Sequence, residues 1–316
     1  MSLRGQEELP TFFGRFIHWI NVLDPTTFLA SDAEIENSKN LLEHSGHSTK
    51  DSLEGEKVKE ALKVCEASLH PDTGNIIPPI FRPPAFMPLA TPLVVAALLP
   101  HKGTKSAFFW QILFQSYNAG FTLLNGRNTN NMEHVTSQQS LLLVGAVSYA
   151  ACVGASPYFL MNRYKLTSPA MQTFFRKMLP VPVITFLSAL NVLFVRMPEI
   201  EHGIEVRDKA GNIIGVSHHA GEKAVKETAV SRMALVGVTS LMPMLLHFVF
   251  QSSHFILRNP LALTPITNLT TALVFGAMIP VSFSIFPQHG KIQRDDIEAE
   301  LQDKTTESEL FYHRGL

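Results

Sequence analysis

The sequence predicts an all-α fold: a multi-pass membrane protein with about five transmembrane helices and an N-terminal amphipathic, helical region outside the bilayer. Two observations carry that reading. Four apolar stretches, roughly 139–161, 178–197, 231–250 and 264–286, are each near the ~20 residues that cross a bilayer core. Their formal charges are Arg196 and Arg232, both at segment ends, where long side chains are expected to reach the headgroups. In addition, 17% of the chain is charged, against about 25% in an ordinary soluble domain.

Net charge is −1, so nothing global suggests nucleic acid as a partner. Two cysteines, Cys65 and Cys152, supply neither a disulfide framework nor a thiolate metal cage. The first ten residues carry Glu7 and Glu8 and have neither an apolar core nor an Arg-rich amphipathic pattern. An organelle address is therefore expected to be internal.

Residues 1–84 read as a water-facing helical region. Phe12, Phe16, Ile20 and Leu23 recur at helical spacing, flanked by His18 and Trp19, so this helix packs on its own protein or lies in a membrane interface. Asp24-Pro25 ends it. Ser31-Asp32-Ala33-Glu34 is a capping box that opens a helix toward Leu42. Val58, Leu62, Cys65 and Leu69 mark a face of the next helix. His70-Pro71-Asp72-Thr73-Gly74 stops it, because Pro71 cannot continue the turn and Gly74 tolerates positive φ.

Residues 85–286 read as the transmembrane bundle. Residues 78–100 are dense in proline, and the apolar run 85–99 fits a kinked first span or a re-entrant piece. In 107–124, Gln111, Gln115, Asn118, Thr122 and Asn125 share one helix face opposite Phe, Trp, Ile and Leu. Such a stripe hydrogen-bonds neighbouring helices or lines a polar path, and Asn191 and Asn268 are candidates to join it. The connection 162–177 holds Arg163, Lys165, Arg176 and Lys177 and no acid, which predicts the matrix side in a mitochondrion. The stretch 198–230 reads as an extramembrane loop, a small hairpin or cap around Asp208–Asn212. Pro243, Pro265 and Pro280 fall inside the last spans, with His247. The tail 287–316 is polar, with a short helix expected around 295–302.

No phosphate loop, dinucleotide fingerprint, nucleophile elbow, HExxH or CxxC occurs, and the thirteen histidines lack ligand spacing. An enzyme, a metal site and a bound cofactor are therefore not expected.

Several ordered motifs resemble the sideroflexin family across essentially the whole chain. They are Asp24-Pro25, His70-Pro71-Asp72-Thr73-Gly74, Asn191…Arg196…Glu199…Gly203-Ile204…Asp208…Gly211-Asn212…Gly215, Ser231-Arg232, Phe286-Pro287-Gln288 and Gly315-Leu316. Phe81-Arg82-Pro83, Ser284–Gln288 and Phe311–Gly315 point to one branch of it. The resemblance implies a multi-pass protein of the mitochondrial inner membrane, associated with amino-acid transport and with iron homeostasis. That branch is linked to complex I assembly and iron–sulfur cluster biogenesis, and not to serine. Serine-transporting relatives have Asn-Tyr-Thr-Asn-Arg where this chain has Thr122-Leu123-Leu124-Asn125-Gly126, which removes polar groups from a serine-type site. Asn75 stands where the family has Glu.

Two functions follow from this reading. The first is transport of an amino acid or related small metabolite along Gln111, Gln115, Asn118, Thr122, Asn125 and Asn191. The second is a non-transporting complex I assembly factor. Membrane lipid is the partner common to both.

Overall fold

The computed structural model describes residues 11–44, 52–71, 73–99, 101, 103–126, 137–164, 168–250 and 258–316. It is 75% helical, in keeping with the predicted class. Helix α1 (Phe12–Val22) starts at Thr11, whose Oγ1 accepts the Gly14 N–H at 3.2 Å. Its packed face carries Trp19 and Val22, followed by Leu23, while Phe12 and Ile20 of the predicted stripe are exposed. The Trp19 ring meets Phe283 edge-on at 5.0 Å, and that contact sets the rotation of the helix.

Helix α2 (Asp32–His44) opens on the predicted capping box. Ser31 N–H donates to Glu34 Oε2 at 3.1 Å, and Glu34 N–H donates to Ser31 Oγ at 3.3 Å. In α3 (Ser52–Ser68) the buried line is Ala61, Cys65 and Ser68, and Leu62 is exposed. Gly74 then adopts φ +67° and its N–H closes the turn on His70 O at 2.9 Å, as the motif predicts.

Six longer helices build the bundle: α4 (Pro83–Leu98), α5 (Thr104–Leu124), α6 (Ser137–Arg163), α8 (Pro180–Val195), α10 (His218–Phe250) and α11 (Leu263–Ser284). Short helix α7 (Pro169–Thr173) and a π turn (Phe174–Met178) lead into α8, and α9 (Met197–His202) follows it. Among the described residues, three helices are long and apolar enough to cross a membrane: α6 from Leu143, α10 and α11. Helices α4 and α8 are apolar but only 16 residues each, so helix length does not establish the predicted five crossings. The shared core is aromatic and aliphatic, with Phe86, Phe114, Phe121, Leu235, Phe275, Ile279 and Phe283 buried between helices.

Two expectations need correction here. The stretch 198–230 is not all loop, because α10 begins at His218 and runs unbroken through position 231. Arg232 therefore lies well inside a helix rather than at its end, and it is buried at 5% exposure. Arg196 does end α8, but it too is buried, at 1%. Neither side chain reaches toward headgroups.

The expected hairpin is present as β1 (Ile204–Arg207) and β2 (Ile213–Ser217). It belongs to a four-stranded antiparallel sheet, ordered β2-β1-β4-β3, that the tail completes with β3 (His289–Gln293) and β4 (Glu309–His313). Ile204, Val206, Ile292, Leu310 and Tyr312 pack on Ala220 and Ala224 of α10. Glu298 of the tail accepts the His218 and His219 N–H groups at 2.7 and 3.2 Å, satisfying the orphan donors that open α10. The sheet therefore caps the longest helix of the bundle. The tail helix is shorter than expected, a turn at Arg294–Asp296 and Ala299–Gln302.

Candidate functional site

The polar stripe of α5 divides into three parts. At one end Gln111 is buried against Gly154 of α6, and its Nε2 faces Ala97 O at 3.5 Å. At the other end Asn125 Nδ2 donates to Phe81 O and Phe121 O, each at 2.9 Å, and its own carbonyl accepts the Leu316 N–H at 3.1 Å. Asn125 thus binds neighbouring segments, and Gln111 packs on one while its Oε1 stays unpaired. The middle is different. Gln115, Asn118 and Thr122 line an internal cavity with Phe114, Ser188, Asn191, Val192, Arg232, Leu235, Val236 and Phe275. The cavity has a volume of 10 Å³, room for about one water molecule.

Asn191 of α8 reaches across to α5, donating from Nδ2 to Gln115 Oε1 at 3.0 Å. Gln115 is 1% exposed and Asn191 3%. Each amide still has an unpaired atom, Gln115 Nε2 and Asn191 Oδ1. A buried polar group left without a partner costs about 1–3 kcal/mol. Two such atoms beside one small cavity are a place where a polar solute could complete the bonding. Asn118, by contrast, satisfies its Nδ2 on Phe114 O at 3.0 Å. Asn268 is half-buried and is not part of the lining.

Arg232 completes the cluster. Its guanidinium lies over the rings of Phe86, Phe121 and Phe283, with 5.0, 5.1 and 5.0 Å to the centroids. Among the described residues, Nη1 and Nη2 have no hydrogen-bond acceptor. Desolvating an ion costs several kcal/mol even after relaxation. Cation–π contacts return about 2 kcal/mol in a desolvated setting. The aromatic box offsets that cost without supplying a hydrogen bond. Sequence reading named Arg232 as a motif residue and not as part of the path; a charge inside an apolar window is the signal that flags it. Ser188 and the apolar lining residues carried no such signal.

A second buried cluster sits beneath the first. Arg196 makes a two-pronged pair with Glu199, Nε to Oε1 at 2.8 Å and Nη2 to Oε2 at 2.6 Å. It also donates to Thr228 Oγ1 at 2.9 Å and to the Arg314 carbonyl at 2.5 Å. Arg314, 2% exposed, donates to Ser231 Oγ at 3.2 Å and Phe283 O at 3.1 Å. Burial lowers its guanidinium pKa to about 10. The tail is thereby locked between α8, α10 and α11. These contacts are largely saturated, which marks the cluster as a structural clasp.

His70, buried at 3%, belongs to the same region. Its Nδ1 accepts the Thr73 N–H at 3.3 Å, so its Nε2 carries the proton and donates to Gly126 O at 2.6 Å. The turn thus fastens the N-terminal region to the end of α5. Pro71, Thr73 and Gly74 shape that turn, and Asp72 lies outside the described residues. Among the described residues, no group of His, Cys, Asp and Glu is placed to hold a metal ion.

Comparison with known proteins places the sequence in a family. The family model of the sideroflexins matches residues 6–316. The chain belongs to the sideroflexin family. It is 44% identical to Sideroflexin-4 of Danio rerio, with 97% of this chain and 96% of that protein covered. It is 38% identical to Sideroflexin-4 of Homo sapiens, covering 98% and 90%. Sideroflexin-5 of Homo sapiens is more distant, 31% identical over 97% and 90%. No solved structure matches. As a sideroflexin with several apolar helices, the chain is a multi-pass membrane protein.

Proposed function

We propose that this sideroflexin carries an amino acid or a related small metabolite, other than serine, across the mitochondrial inner membrane. The reading rests on one observation. Gln115, Asn191 and Arg232, from three different helices, turn unpaired polar atoms toward one cavity inside the bundle. Polar groups at membrane depth are costly and mark solute paths. Leu123 and Leu124, which replace polar residues of the serine-type motif, support a solute other than serine.

The cavity has room for about one water molecule and none for a metabolite, so on this reading it represents a closed form, and transport requires α5, α8, α10 and α11 to separate around it. Uptake of a panel of radiolabelled amino acids and related acids into liposomes carrying the purified protein tests the reading. Saturable uptake that Gln115→Leu and Asn191→Leu abolish is the expected outcome. Uptake by neither the native protein nor any variant, with the protein folded and oriented, would contradict it.

A second reading has its own support. Phe13, Ile17 and Ile20 form an exposed apolar face on α1, and the ends of the α5 stripe act as interhelical contacts. A non-transporting assembly factor for complex I, supporting iron–sulfur cluster biogenesis, would need such a docking face and no solute path. Normal levels of complex I subassemblies after deletion of the gene would sink this alternative.

A further inference from the structure

The transport reading leaves the charge of Arg232 unexplained. Arg232 is 5% exposed and lies in the wall of the cavity, and among the described residues its Nη1 and Nη2 have no acceptors. Among the described residues, neither Asp nor Glu lines that wall. The other cations that act on Arg232 are Arg314 and Arg196, and Arg196 already holds Glu199. The site therefore carries an uncompensated positive charge.

Its hydrogen-bonding capacity is also lopsided. Arg232 Nη1, Arg232 Nη2 and Gln115 Nε2 are three unpaired donor atoms, while Asn191 Oδ1 is one unpaired acceptor. A guanidinium fork matches the two oxygens of a carboxylate. The lone amide acceptor suits a hydroxyl, which gives one proton. It suits an ammonium poorly, since three charged donors in a buried site call for a carboxylate, and none lines the cavity among the described residues.

We propose that this cavity binds a short 2-hydroxy carboxylate of net charge −1, with Arg232 and Gln115 on its carboxylate and Asn191 Oδ1 accepting from its hydroxyl. The proposal rests on the transport reading of the same site and narrows its solute to a monoanion instead of a zwitterion. Binding cancels the buried charge and supplies all four missing partners. The cavity must widen to admit the ligand, with the apolar wall of Phe114, Leu235 and Phe275 giving way.

The test is calorimetric titration of the purified full-length protein with four probes: L-lactate, L-alanine, L-lactamide and chloride. The first three share a carbon skeleton: lactate is a monoanion, alanine a zwitterion and lactamide uncharged. Lactate is expected to bind at least tenfold more tightly than alanine or lactamide, chloride is expected not to compete, and Arg232→Gln is expected to abolish lactate binding. Should Arg232→Gln fail to fold, Asn191→Leu decides the matter. It should erase the preference for lactate over propionate, which lacks the hydroxyl.

Alanine binding as tightly as lactate, chloride binding as tightly as lactate, no binding of any probe, or an unchanged lactate preference in Asn191→Leu would each overturn the proposal. Uptake into liposomes separates the two claims. Lactate binding without uptake contradicts transport and leaves the site assignment standing. Saturable alanine uptake that survives Arg232→Gln contradicts the assignment and leaves transport standing.

Discussion

Asn191 Nδ2 donates to Gln115 Oε1 at 3.0 Å, joining α8 to α5 across 76 residues of sequence. Both side chains are buried and line the cavity, and each keeps one amide atom unpaired. Replacing Asn191 by Leu strands Gln115 Oε1, at an expected cost of about 1–3 kcal/mol. The Gln115→Leu/Asn191→Leu double variant should cost less than the sum of the single variants, by about 1 kcal/mol. Unfolding in a fixed detergent measures this coupling, and strict additivity would show that the bond contributes nothing.

Arg196 and Glu199 are a buried pair in which all three guanidinium nitrogens donate. Glu199→Gln leaves the guanidinium without its counter-charge and should destabilise the fold by about 3–5 kcal/mol. An Arg196→Met/Glu199→Met variant, which removes both charges, should unfold at a higher temperature than Glu199→Gln alone.

Gly221, in the first turn of α10, is where α9 crosses closely. A Cβ there would collide with the Glu199 carbonyl oxygen, which is backbone and cannot swing away. Gly221→Ala is expected to push α9 off α10, cost about 1–3 kcal/mol, and loosen the Arg196–Glu199 pair. Faster proteolysis of the hairpin at Asp208–Asn212 is the readout.

Asp24 and Lys63 link the start of the helical N-terminal region to α3, with Nζ and Oδ2 2.5 Å apart. The Lys63 ammonium, with the Thr26 N–H and hydroxyl, lowers the Asp24 pKa from 3.8 to about 2. The folded-state pKa is depressed, so the stabilisation is complete above pH 4 and is lost as pH falls toward 2. Asp24→Asn should remove that dependence: unfolding midpoints of native protein and variant differ at pH 6 and converge near pH 2.

Much of the local structure is written in local chemistry. The capping box at Ser31–Glu34, the turn at His70–Gly74 and the hairpin at 204–217 each involve residues a few positions apart, and periodicity and turn residues reveal them. The stripe from Gln111 to Asn125 is equally visible as one helix face. Which of its members line a cavity and which pack on neighbouring segments is not visible, because Gly154, Phe81, Asn191 and Arg232 lie far away in sequence. Arg232 was misplaced for a related reason. An apolar window starts at position 231, but the helix starts at His218, where Ser217 and Glu298 cap it. The pairing of β1 with β4 spans about a hundred residues, although the alternation Leu310, Tyr312 against Glu309, Phe311, His313 gave a local sign of a strand.

A solute path through the polar cavity requires that the cavity open to water. The most direct measurement places a single reactive thiol there by Asn118→Cys, with Cys152→Ser removing the exposed native cysteine and Cys65 left buried. The protein, reconstituted in liposomes, is then exposed to a membrane-impermeant methanethiosulfonate. Labelling of the introduced thiol within minutes, slowed by bound solute, is the predicted result. A thiol that stays unlabelled from both faces of the membrane, yet reacts once the protein is denatured, would contradict the account.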